Sequence, residues 1–286
     1  MAQVLRNEVD YTELSSFIRC KRKWYYRFWL DLVPFTSPTA LEFGIAMHEA
    51  LDALYKNDFN LDAMLARWEE VKDTFKPDMK RNQESGERIL RDYYDEYKVQ
   101  VGLIDVLHNE VSFVMPIEDI VMKGRIDRII SWAGSTYVMD HKTTTMLGKY
   151  YFEQYFPHWQ IMIYTLAGKQ YFDDCSGAYI DALFVGKASR FERRPLMLTD
   201  YELEAAIPEL LEHVHTWEAA QKRLLADTKS ANTICPRSAI PEACAVYSGC
   251  EYKELCRLNS DPSYMDVAFT KSTWDCAKLS ANKENE

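Results

Sequence analysis

The stretch IVMKGRIDRIISWAGSTYVMDHKTTT, residues 120–145, decides how this chain is read. Two runs rich in Ile, Val, Tyr and Met flank Ala133-Gly134-Ser135, the pattern of two strands joined by a tight turn. The second run begins apolar and then sets Asp140, His141 and Lys142 in succession. Residues two apart in a strand share a face, so Asp140 and Lys142 project together. A loop of two residues, Ala133-Gly134, places Asp127 opposite Asp140, whereas a loop of four, residues 133–136, places it opposite Lys142. Either register gathers two carboxylates and one ammonium on one face. Close carboxylates repel, and a divalent cation with oxygen ligands is their natural occupant. The plainer alternative is a solvated sheet face with a surface ion pair.

Composition bounds what surrounds that hairpin. The chain has 286 residues, 47% hydrophobic and 13% aromatic, enough to bury a sizeable core. The opening MAQVLRNEVDYTEL has no apolar signal region and no run approaches a membrane span, so the expectation is an intracellular, cytoplasmic protein without a membrane partner. A net charge of −10 excludes a generic polyanion binder and confines any nucleic-acid site to a local basic patch.

The N-terminal third reads as helical. Asp10 with Glu13, and Thr39 with Glu42, resemble capping boxes before SSFIRCKRKWYYRFWL and FGIAMHEALDALY. Residues 61–72 and 84–99 are further helices, residues 106–143 turn to short strands, and a helix at 157–172, a strand at 178–186 and a long amphipathic helix at 199–226 follow. The fold class expected is α/β, a small central mixed sheet flanked by helices. No linker or repeat divides the chain, so residues 1–258 read as a single domain and the polar residues 259–286 as a mobile tail.

Helical spacing sets His48 beside Leu41, Ile45, Leu51 and Tyr55, which turns its imidazole inward, either as a hydrogen-bonded core residue or as a nitrogen donor to a carboxylate-bound metal. Gln160 and Tyr164 share one face of PHWQIMIYTLAG, where they either satisfy buried backbone groups or orient a substrate. The ordered set GIAMH, GRIDRI, DHKTT and QIMIY resembles the PD-(D/E)XK nuclease superfamily, in particular its RecB-like branch of phage exonucleases, helicase-nuclease subunits and iron–sulfur CRISPR-associated nucleases. The resemblance runs from about Tyr11 to Cys256 and implies a restriction-endonuclease-like core. It puts G-x-x-x-H on Gly44 and His48, G-x-x-D on Gly124 and Asp127, D-x-K on Asp140 and Lys142, and Q-x-x-x-Y on Gln160 and Tyr164. By the resemblance, His48, Asp127, Asp140 and the backbone carbonyl of His141 hold Mg²⁺ or Mn²⁺, Lys142 positions or activates the attacking water, and the His141 side chain points away.

The seven cysteines sit in a reducing compartment, where clustered thiols bind metal or stay free. CAVYSGCEYKELC spaces Cys244, Cys250 and Cys256 six apart, and Cys20 lies far off in FIRCKRKWYYR. One N-terminal and three C-terminal cysteines match the distribution in the iron–sulfur members of the branch, which implies a [4Fe–4S] cluster joining the two ends, with zinc as the alternative metal. The C-terminal trio lacks the C-x-x-C pair common there, and Cys235 is the substitute for Cys244. The tied helix carries Arg22 and Lys23 among Trp24, Tyr25, Tyr26 and Trp29, a candidate DNA contact, or else an amphipathic helix with core aromatics and solvated cations. Two functions compete: a metal-dependent DNA exonuclease acting on single strands or ends in repair, recombination or phage DNA metabolism, and a nucleic-acid-binding or assembly subunit with the same fold. The complete set of His48, Asp127, Asp140 and Lys142 favours the enzyme. The resemblance also implies a prokaryotic or phage source and allows a homo-oligomer or a recombination or CRISPR partner protein.

Overall fold

Ala133 and Gly134 both take positive φ, 51° and 82°, the backbone that a two-residue turn between right-twisted strands requires. They join β4 (Ile120–Trp132) to β5 (Ser135–Thr144) in an antiparallel register running from Trp132 opposite Ser135 to Arg128 opposite Met139. The structure, a computed structural model, describes residues 4–227, 230–245 and 249–276. It divides into two compact units built from interleaved segments, which is why no linker marks them in the sequence.

One unit comprises residues 37–113 and 124–204. Its strands run in the order β4-β5-β6-β7, with β6 at Cys175–Phe184, β7 at Phe191–Met197, and β3 (Ile104–Ile117) beside β4. β5 and β6 are parallel, joined by the crossover helix α6 (Trp159–Lys169), while β6 and β7 are antiparallel, so the sheet is mixed as expected. Three helices, α3 (Thr39–Lys56), α4 (Leu61–Val71) and α5 (Gln83–Tyr97), bury Phe43, Met47, Leu54, Trp68, Ile89 and Tyr93 together with Leu183 of β6. Asn60 caps α4 by accepting from the Ala63 amide, and Asn82 with Ser85 forms a full capping box on α5. The box read at Thr39 and Glu42 does not form, because the helix already starts at Thr39 with Pro38 as its cap.

The other unit comprises residues up to Thr36, Val114–Lys123 and Ala205–Cys276. Its strand β1 (Glu8–Asp10) pairs in parallel with Val121–Lys123. Asp10 caps α1 (Tyr11–Arg19) by accepting from the Glu13 amide, as its sequence signature predicts. The helix read through residue 30 breaks at Cys20, which takes an extended φ of −160°, and resumes as α2 (Lys21–Trp24) and a π-helical turn, Tyr25–Trp29. The long helix α7 (Asp200–Ala226) is followed by short helices α8 (Ala231–Ile234), α9 (Glu242–Ala245), α10 (Lys253–Arg257) and α11 (Pro262–Ala268).

Residues 262–271, which composition assigned to a tail, are folded. The strand β8 (Phe269–Lys271) pairs with β2 (Leu32–Pro34), and Phe269 stacks on Tyr252 at 5.4 Å in a core with Tyr26 and Leu32. The remaining tail residues, 277–286, lie outside the described residues. Among the described residues no helix is long and apolar enough to cross a membrane.

Two buried carboxylates organise this unit. Glu13, 2% exposed, accepts from the indole N–H of Trp24 at 2.8 Å and of Trp217 at 3.0 Å, and pairs with both terminal nitrogens of Arg6. Asp10 accepts from the indole N–H of Trp274 at 2.6 Å. Replacing Glu13 by Ala orphans two buried indole donors and is expected to cost at least about 2 kcal/mol, measurable as a lowered melting temperature in chemical or thermal unfolding. An unchanged stability shows that Glu13 is not the hub of this core.

Candidate active site

The two-residue turn fixes the register from Trp132 opposite Ser135 to Arg128 opposite Met139, where the paired ladder ends, and Asp127 and Asp140 are the next residue on each strand. Asp140 is 3% exposed, and the Lys142 ammonium on the same face lies 2.6 Å from its Oδ2. That oxygen is buried with no hydrogen bond, so the ion pair is its charge partner. The Gln160 amide on α6 completes the arrangement, donating to Asp140 Oδ1 at 3.2 Å and accepting from Lys142 at 3.2 Å.

From α3, His48 Nδ1 reaches to 3.4 Å from Asp127 Oδ2, which also accepts the backbone N–H of His141 at 3.0 Å. Gly44 lets α3 approach, because a Cβ there would meet the Thr143 hydroxyl of β5 at 3.3 Å. The face of α3 differs from the one read from spacing. Its buried side is Phe43, Ala46, Met47, Ala50, Leu51 and Leu54, so that of the neighbours read from spacing Leu51 is buried but Leu41 is 57% exposed, and a third of the His48 side chain remains accessible. The imidazole therefore sits at the edge of the core, directed at a carboxylate. Tyr164 packs edge-on against Phe113 at 5.9 Å, beside Gly124, whose Cβ would collide with that same Phe113 ring at 2.7 Å. The structure thus brings together His48, Asp127, Asp140, Lys142 and Gln160, with Tyr164 one turn along α6.

The electrostatics push the two carboxylates apart. Burial raises Asp127, but His48 and the contacts to His141 outweigh it and hold the carboxyl well below its usual range. Burial raises Asp140 further than Lys142 lowers it, and the Asp127 charge adds to the rise. For His48 and Lys142 burial favours the neutral forms, yet the attraction of Asp127 for one and of Asp140 for the other leaves both raised. Glu110, which no sequence motif marked, senses the same centre: burial raises it, Arg125 at 2.8 Å opposes, and Asp127 pushes further upward.

Two carboxylates, an imidazole and a backbone carbonyl make a hard, oxygen-rich donor set, which fits Mg²⁺ or Mn²⁺, and the unbonded Asp140 Oδ2 is an oxygen such an ion would satisfy. Among the described residues no three His, Cys, Asp or Glu are already spaced as a metal cage; Lys142 and His48 hold the carboxylates instead.

His141 projects to the opposite face of β5, as the D-x-K resemblance implies, into a polar network that sequence reading missed. Its buried ring meets Arg128 at 2.9 Å, and Asp181 and Tyr93 at 3.3 Å each. Asp181, fully buried on β6, accepts from the Tyr93 hydroxyl at 2.6 Å and from Arg193 Nε at 3.0 Å. The sequence signal was partial: Asp181 interrupts the otherwise apolar β6, but Arg128 and Arg193 stand among other charged residues of β4 and β7.

The candidate cluster cysteines lie in the other unit. Cys20, Cys244, Cys250 and Cys256 line one cavity of about 270 Å³ with Arg22, Lys23 and Arg237. Cys235 is wholly buried and absent from that lining, its thiol pushed up to about 11 by burial. Cys250 is likewise raised to about 11. Arg22, 4% exposed, lies against the Tyr25 and Tyr26 rings and has a buried Nε with no hydrogen bond. The four thiols share this lining, but among the described residues no three His, Cys, Asp or Glu stand together as a metal site. The burial of Arg22 removes it from the DNA-contact role expected of it. Lys23 pairs with Glu251 at 3.0 Å, and Trp24, Tyr26, Phe28 and Trp29 are core.

The sequence profile of the PD-(D/E)XK nuclease superfamily matches residues 9–257. No curated protein matches the chain in sequence. Among solved structures, that of a "Putative exonuclease" from Eubacterium rectale aligns with a TM-score of 0.50 at 13% identity, covering 96% of this chain and 94% of that one, a likeness of fold. The structure of SSO0001 aligns over 84% of this chain and 91% of its own at 13% identity, with a TM-score of 0.36 that carries no argument.

The network behind β5 is open to test. Arg193 holds the Asp181 carboxyl far below its ordinary range against the opposing effect of burial. A carboxylate depressed on folding contributes stability that is complete above its unfolded pKa of about 4 and is lost as pH falls below it. Asp181→Asn leaves Arg193 buried without its charge partner and is expected to cost about 3–5 kcal/mol at pH 7. The gap in melting temperature from wild type should narrow below about pH 4. A gap independent of pH shows that the pair contributes nothing through charge.

Proposed function

This chain belongs to the PD-(D/E)XK nuclease superfamily, and we propose from that premise that it is a Mg²⁺- or Mn²⁺-dependent deoxyribonuclease, an exonuclease acting on single strands or DNA ends. The observation that carries this reading is the convergence of His48 on Asp127 and of Lys142 on Asp140, the residues just past the last β4–β5 pair, with Asp127 accepting the His141 amide. The description of the Eubacterium rectale protein agrees with exonuclease activity.

Each residue has a role that follows from its partners. Asp127, held low, stays anionic and with His48, Asp140 and the His141 carbonyl would hold the cation. When bound, Mg²⁺ or Mn²⁺ supplies Lewis-acid polarisation of the scissile phosphate. Lys142 stays charged beside Asp140 and, with Gln160 fixing its direction, offsets charge that develops on the phosphate and positions the attacking water.

A [4Fe–4S] cluster on Cys20, Cys244, Cys250 and Cys256 is part of the proposal, and zinc is the other metal this set would take. Support comes from the shared cavity and from the buried, unbonded Arg22 Nε beside it. Its part is structural: it fastens the break after α1 to the segment around α10 and lies in a different unit from the carboxylates.

End-labelled linear, circular and single-stranded DNA incubated with Mg²⁺ or Mn²⁺ tests the activity. Asp140→Ala and Lys142→Ala should each lower cleavage at least about 100-fold while DNA binding persists. Full activity in both purified variants overturns the assignment, and binding without cleavage by wild type points instead to a binding or assembly subunit.

Anaerobically purified protein should be brown and contain iron and sulfide, and Cys20→Ser should bleach it and lower its melting temperature. Zinc without iron, or an unchanged colour and stability in Cys20→Ser, removes the cluster from the proposal.

A further inference from the structure

We propose that the segment Met146–Phe156 is a stacking platform for unpaired nucleobases, so that this protein takes DNA as a single strand. The inference rests on the nuclease reading and names its substrate form. The segment leaves β5 just after Thr144, two residues beyond Lys142, and ends shortly before Gln160, the residue hydrogen-bonded to both Lys142 and Asp140. Both its ends are therefore fixed at the candidate centre.

Three large apolar side chains on it face outward: Met146 is 78% exposed, Tyr150 71% and Phe156 46%. Single exposed apolar residues are ordinary, but here three fall within eleven residues of one segment. The loop that carries them is anchored. Leu147, Phe152 and Tyr155 are buried, the Thr144 hydroxyl accepts the Met146 amide at 3.1 Å, and the Tyr151 and Tyr155 hydroxyls meet at 3.0 Å. Arg190 donates to the Leu147 carbonyl. The exposed rings are thus held out by a fixed scaffold, which limits the entropy lost when a flat partner settles on them.

The flat partner that a phosphodiester-cleaving centre brings is a base. In a duplex the base faces are covered by their neighbours, whereas in a single strand or a frayed end they are open to an aromatic ring. A cation accompanies one exposed ring: Lys149 Nζ lies 5.2 Å from the Tyr150 ring, placed to meet a phosphate beside a stacked base. Glu153 is the acidic residue of the stretch.

The test uses single-stranded oligonucleotides carrying 2-aminopurine, whose fluorescence is quenched by stacking, with EDTA present so that no strand is cut. Wild type should quench it on binding; Tyr150→Ala with Phe156→Ala should abolish the quench and weaken single-strand binding about tenfold or more. Tyr150→Trp should restore it. In Mg²⁺ or Mn²⁺ the same double variant should raise KM for single strands with little change in kcat. Unchanged quench, affinity and KM in a double variant that melts like wild type overturns the platform while leaving the nuclease intact. Equal wild-type affinity for single strands and blunt duplex, without quench, also overturns it. A wild-type protein that neither binds nor cuts any DNA instead overturns the nuclease reading beneath it.

Discussion

Two buried carboxylates, Asp127 and Asp140, stand just past the last pair of a tight hairpin, close enough to feel each other's charge, and the site is arranged to make that tolerable. Like charges a few ångströms apart cost on the order of several kcal/mol at the effective dielectric of a partly buried site. Asp127 and Asp140 meet that cost differently. Asp127 is surrounded by donors, the His48 imidazole and the His141 amide, and falls in pKa; Asp140 is buried more fully, keeps an oxygen without a hydrogen bond, and rises. The asymmetry lowers one carboxylate and raises the other.

The alternation of the strand links this front face to the interior behind it. Between Asp140 and Lys142, the His141 ring is anchored on the far side by Arg128 and Asp181, while its amide holds Asp127 on the near side. The backbone of the D-x-K segment is fixed from both faces at one residue. Asp181 and Arg193 supply the rigidity, since a hydrogen-bonded pair between a fully buried carboxylate and a mostly buried guanidinium tolerates little displacement before it leaves a charge without its partner.

In the other unit the same logic applies with different groups. Glu13 and Asp10 are buried acids that accept indole N–H groups, and Arg22 is a buried cation left beside four thiols. The extended conformation of Cys20 ends α1 and places the thiol on the cavity, so the break in the helix and the position of the cysteine are one feature.

The sequence by itself determined the hairpin, the mixed α/β class, most of the helices of the N-terminal third, and the residues that meet at the site. These are local or period-based signals: Ala133-Gly134 limits the loop, strand alternation pairs Asp140 with Lys142, and helical spacing pairs Gln160 with Tyr164. Only the tertiary structure decided which register the turn closes, that His48 stands at the edge of its helix's buried face, and that Arg22 lies inside. It also decided that Phe269 finds an aromatic partner in what reads as a polar tail, and that Arg128, Asp181 and Arg193 form one network from three separate strands. The physical reason is common to all of them. Burial of a charged or aromatic side chain depends on which distant groups arrive to satisfy it, and a one-dimensional pattern records the period of an element but not its neighbours.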